Sequence, residues 1–93
     1  MMASPGEIAN DMAAHAAYWY GRDRDIGRAC RDAAGTLHGL MAGERVDGRT
    51  YADLQGRLLN LADAGAAEDW HIKGYPDFDR AAACIERLYR EAA

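Results

Sequence analysis

Glu68-Asp69-Trp70-His71-Ile72-Lys73-Gly74-Tyr75-Pro76-Asp77-Phe78-Asp79 separates two helical patterns, and how it is read decides the fold. Three aromatics, one histidine and four carboxylates share these twelve positions. Read as a strand, Trp70-His71-Ile72 would make the region loosely like the end of a winged helix. Two features oppose that. No turn divides residues 50–64 into two helices, and residues 50–75 set Asp53, Asp63, Glu68 and Asp69 against only Arg57 and Lys73. A recognition helix with that balance would be repelled by phosphates. The stretch is therefore expected to be one ordered connection of about 10–12 residues before a last helix, and the fold an all-α, compact bundle of four helices.

The last helix should begin at Pro76 or Asp77, with Phe78, Ala81, Ala82, Ile85, Leu88, Tyr89 and Ala92 on one broad apolar face. Glu86 and Arg90, four apart, make a solvent-side pair. Upstream, Thr50-Tyr51-Ala52-Asp53 reads as a weak capping box opening a third helix to about Ala64, with Gly65 as its stop. Tyr51, Leu54, Leu58 and Leu61 form its stripe, widened by Leu59 and Ala62. This is the strongest apolar face, so this helix is expected at the centre of the packing.

The second helix starts near Asp23 or Asp25 and runs to Ala42, with Ile26, Cys30, Ala33, Leu37, Leu40 and Met41 along its apolar line. Gly27, Gly35 and Gly39 interrupt it, each costing about 0.5–1 kcal/mol against Ala. They imply close helix approach, a bend or a split near Gly35-Thr36. That split, or a coil at residues 66–71, would make five helices. Gly43 to Arg49 is the connection, turning at Asp47-Gly48. The first helix has the clearest local signal: Ser4-Pro5-Gly6-Glu7 combines a cap, a first-turn proline and a capping-box glutamate. Ile8, Met12, His15 and Trp19 line one side, and Gly21 follows as a stop.

With 93 residues the chain is expected to form a single domain, residues 1–93. No apolar run approaches the roughly 20 residues that span a bilayer, and the first residues show no basic region or apolar run of a leader. A cytoplasmic protein without membrane contact is expected. The net charge of −4 and pI near 5.2 oppose direct nucleic-acid binding.

Chemistry-bearing patterns are few. No phosphate loop or zinc spacing is present, and the only serine, Ser4, is committed to a cap. Cys30 and Cys84 are either a disulfide or redox pair or two small buried thiols, and their apolar neighbours favour the second. Asp69, His71, Asp77 and Asp79 could hold a hard cation or act as acid and base. Asp77 is better explained as a helix cap and Asp79 as first-turn charge. No cofactor is expected. Arg24, Arg28 and Arg31 form a stripe that would either bind anions or be solvated beside Asp25 and Asp32.

Residues 50–93 hold eight acids (Asp53, Asp63, Glu68, Asp69, Asp77, Asp79, Glu86, Glu91) and five bases (Arg57, Lys73, Arg80, Arg87, Arg90). Acidity therefore gathers around the opening stretch. Tyr18-Trp19-Tyr20 adds a second aromatic group whose roughly 200° arc cannot face one core. Asp69, Trp70, His71, Tyr75 and Asp79, with Tyr18 and Tyr20, are the candidate binding residues. They point to a non-catalytic module that covers a basic or nucleic-acid-binding surface of a protein partner. By analogy of size and charge alone, inhibitors of the antitoxin, immunity or phage anti-defence (anti-CRISPR) type are the nearest comparison. The alternatives are a homodimeric helical module and a small metal-dependent or acid–base enzyme using His71.

Overall fold

The computed structural model describes residues 4–67 and 75–92. Within them lie four helices and no strand: α1 (Pro5–Trp19), α2 (Arg24–Met41), α3 (Gly48–Ala67) and α4 (Phe78–Ala92). The all-α reading holds, and α2 is continuous through Gly35 and Thr36 rather than split. The Trp70-His71-Ile72 segment lies outside the described residues. The radius of gyration, 12.5 Å, matches the roughly 12 Å of a compact chain of this length.

Each helix starts where a side chain satisfies its first backbone N–H groups. Ser4 Oγ accepts from Glu7 N at 3.2 Å, and its hydroxyl donates to the Glu7 carboxylate at 3.3 Å. Asp23 Oδ1 accepts from the Asp25 and Ile26 amides at 3.0 and 3.3 Å. Asp77 does the same for Arg80 N at 3.0 Å. The start of α3 departs from expectation. Asp47 is the cap, with Thr50 N donating to Oδ2 at 3.3 Å, so the helix begins two residues before Thr50. Asp accepts more strongly than Thr at such a position, which is why the Thr50 capping box is not used.

A four-residue turn folds α2 back along α1, held by the Arg22 and Asp23 amides on the Trp19 carbonyl at 2.8 and 2.7 Å. Gly21 follows the end of α1 without positive φ; among the described glycines only Gly43 (φ 85°) adopts it, closing α2. Helices α3 and α4 run antiparallel. Tyr51 stacks on Tyr89 at 3.9 Å, and Gln55 Nε2 donates to the Ala82 carbonyl at 2.9 Å. Near the other end, the Tyr75 hydroxyl donates to the Leu61 carbonyl at 2.7 Å.

The centre of the bundle is α2, not α3. It touches all three other helices and buries nine residues, among them Ile26, Ala29, Cys30, Ala33 and Leu37. Its small side chains allow neighbours on several sides, whereas the bulkier α3 stripe buries fully only Leu54 and Leu58 among its leucines. Leu59, expected to widen that stripe, is 47% exposed, and Met41, in the last turn of α2, is 42% exposed. Both sit at the edges of their apolar stripes. Gly65 is no stop: it is buried inside α3, and a Cβ there would collide with the Tyr75 ring. Of the α2 glycines, only Gly27 marks a close helix approach, to the C-cap residue of α1. Gly27 receives the backbone of Tyr20, Gly39 faces Glu44, and Gly35 opens on solvent.

Cys30 and Cys84 are separate buried thiols. Burial pushes the Cys30 thiol up to about 12. Cys84 is also raised, by burial first, with Arg87 opposing and Glu91 adding.

Candidate functional site

The end of α1 divides its three aromatics as helical geometry requires. Trp19 turns into the core, while Tyr18 and Tyr20 stay 48% and 37% exposed. Each exposed ring lies under a guanidinium. Arg22 sits 4.0 Å from the Tyr18 centroid and donates from Nη1 to the Tyr18 carbonyl at 2.8 Å. Arg31, on α2, sits 5.6 Å from the Tyr20 centroid. Such stacking holds an exposed ring in one orientation and lowers the entropy lost when a partner covers it.

Trp19 continues the aromatic chain inward, edge-on to Tyr75 at 6.1 Å, which in turn meets Phe78 edge-on at 5.7 Å. Tyr75 is half-buried and its phenol is raised above the ordinary 10.0, by burial first and then by Asp23 and Cys30. It therefore joins the α1–α2 turn to the last turns of α3. Asp79 is exposed in the first turn of α4, beside the capping Asp77, whose carboxylate meets Arg80 at 3.4 Å. Asp69, Trp70 and His71 lie outside the described residues. Among the described residues no three His, Cys, Asp or Glu side chains gather as a cation site would require.

Two charged stripes flank the Tyr18–Tyr20 turn. On α1, Glu7, Asp11, Ala14 and Tyr18 are all exposed at spacings of four, three and four, and residues 5–19 contain no Lys or Arg. On α2, Arg24, Arg28 and Arg31 are exposed around the buried Gly27. The acidic α1 stripe was legible by the same periodicity that reveals an apolar face, applied to charge instead. His15, on the core side of α1, is half-buried.

Between α2 and α3 runs an open groove of about 790 Å³ lined by Gly35, Thr36, Gly39, Val46, Thr50 and Leu54 and rimmed by charged residues. Arg57 of α3 reaches across it to Asp32 of α2 at 3.0 Å. The Gly35/Gly39 spacing was its signal, since two glycines one turn apart leave a helix face without side chains.

No protein-family model, curated protein or solved structure matches this chain.

Proposed function

We propose that this chain is a non-catalytic interaction module that occupies a basic surface of a protein partner, acting as an inhibitor does, by coverage. The observation that supports this reading is the exposed Glu7–Asp11–Ala14–Tyr18 line on a helix without Lys or Arg. Carboxylates attract a basic surface and speed encounter, while a stacked tyrosine supplies contact area once solvent leaves. Asp79 adds a further exposed carboxylate on α4, a helix that packs against α1. Asp69, Trp70 and His71 extend the same proposal along the connection between α3 and α4.

The test uses the intact protein as bait in extract of its native host. A Glu7→Lys/Asp11→Lys/Tyr18→Ala variant and a Trp70→Ala/Asp79→Ala variant are compared with wild type. Glu7, Asp11, Tyr18 and Asp79 are exposed, and retained circular dichroism and melting temperature check the fold. A specific partner lost in a variant, and binding the purified wild type more weakly at high salt, supports the reading. An identical partner set in all three preparations defeats it. The second reading, self-association through exposed Tyr18 and Tyr20, predicts concentration-dependent sedimentation. A strict monomer ends it.

A further inference from the structure

We propose that the α2 face formed by Arg24, Gly27, Arg28 and Arg31, with Tyr20 laid across it, docks a carboxylate-rich segment of a protein partner. This surface has the opposite sign to the α1 stripe and lies on a different helix, so it stands or falls independently of that reading.

Spacings of four and three place Arg24, Arg28 and Arg31 in one exposed line along α2, with the buried Gly27 at its edge. Gly27 makes the arrangement possible. A Cβ at that position would stand 2.8 Å from Tyr20 Cα, so only glycine lets the C-cap residue of α1 lie directly on α2. Tyr20 is thereby set down among the arginines, its ring beneath the Arg31 guanidinium.

Two of the three carboxylates nearest this line already have partners. Asp23 spends its oxygen on the Asp25 and Ile26 amides. Asp32 is held at 3.0 Å by Arg57 from α3 and stands 3.8 Å from Arg31. Asp25, though exposed on the same helix, makes no ion pair; nor do Arg24 and Arg28, among the described residues. Arg24 and Arg28 thus present guanidinium forks without an ion pair among the described residues, in line with Arg31 and the exposed Tyr20 ring. Guanidinium takes carboxylate through two parallel N–H···O bonds, and Tyr and Arg are enriched among residues that dominate binding energy.

Two other occupants fit less well. A nucleic acid extends its phosphates well past this short line, over a chain whose net charge is −4. A second copy joined by two-fold symmetry would set these arginines against themselves.

Fluorescent poly-L-glutamate is the probe, titrated against the intact protein at low and high salt. Binding that weakens with salt is expected, and Arg24→Gln/Arg28→Gln should reduce it roughly tenfold or more. Tyr20→Ala should reduce it several-fold with circular dichroism unchanged. The control, Arg80→Gln/Arg87→Gln on α4, removes the same charge elsewhere and should leave binding nearly intact. The proposal is overturned by absence of binding, by an equal loss in the control, or by tighter binding of duplex DNA than of poly-L-glutamate. Self-association that the Arg24/Arg28 variant abolishes would also overturn it, assigning the face to a second copy.

Discussion

Tyr75 is seated on Gly65: its ring fills the space that this glycine leaves without a side chain, and its hydroxyl bonds the Leu61 carbonyl one turn earlier. The contact reverses the ordinary effect of replacing a helical glycine. Gly65→Ala should destabilise by about 1–2 kcal/mol, because overpacking costs about 1–3 kcal/mol and helix propensity returns only about 0.5–1 kcal/mol. Gly56, in the same helix, is exposed, and a methyl group added there would meet only open space. Gly56→Ala should therefore stabilise by about 0.5–1 kcal/mol. Urea midpoints of the two variants decide the matter, and stabilisation by both would show that Tyr75 does not occupy this seat.

Tyr75→Phe keeps the ring and removes the hydroxyl bond, for an expected loss of about 0.5–1.5 kcal/mol. Its optical signature is specific. Burial raises the Tyr75 phenol above the ordinary 10.0, with Asp23 and Cys30 adding to it. Ultraviolet difference titration of the native protein should contain a late-titrating tyrosine that Tyr75→Phe lacks. Should the late component persist in the variant, the buried phenol belongs to another residue.

The contrast between Gly65 and Ser4-Pro5-Gly6-Glu7 explains what could be read from the chain alone. The start of α1 is determined by atoms three residues apart, so its cap was legible. Whether Gly65 ends a helix or lies inside one depends on Tyr75, ten positions on and across a connection. The same limit applies to the centre of the bundle. Leucines made α3 look dominant, but the alanines, glycines and Cys30 of α2 admit neighbours on more sides. Of the candidate residues, Tyr18 and Tyr20 were expected to lie partly off the core because three consecutive helical residues cannot share one face. Their guanidinium partners were not anticipated, since Arg31 is eleven residues beyond Tyr20.

The cap of α3 offers a direct comparison between two neighbouring residues. Asp47 Oδ2 accepts from the Thr50 amide at 3.3 Å, while the Thr50 hydroxyl stands 3.5 Å from the same oxygen. Asp47→Ala should cost about 1 kcal/mol, and Asp47→Asn, which retains an acceptor, much less. Thr50→Ala should be close to neutral. If Thr50→Ala proved the costlier change in chemical denaturation, the helix would start at Thr50 after all.

The buried thiol of Cys30 makes stability fall in alkali over a defined range. In the folded chain its proton is held up to about 12, against an ordinary 9.0, because burial penalises the thiolate. Between these values the unfolded chain has released the proton and the folded chain has not. The unfolded state then binds fewer protons, so stability decreases as pH rises, by at most about 1.4 kcal/mol per pH unit from this group. Below pH 9 both states hold the proton and the contribution is complete. Tyr75 is also raised and adds its own alkaline loss, so the Cys30 share is isolated by comparison with Cys30→Ala. That variant should lose some stability at every pH through the small cavity it leaves, yet decline less steeply above pH 9. Native Cys30 should also resist iodoacetamide until denaturant is added. Parallel stability curves for the two proteins across the alkaline range, with prompt alkylation of native Cys30, would place this thiol at the surface and remove it from the core of α2.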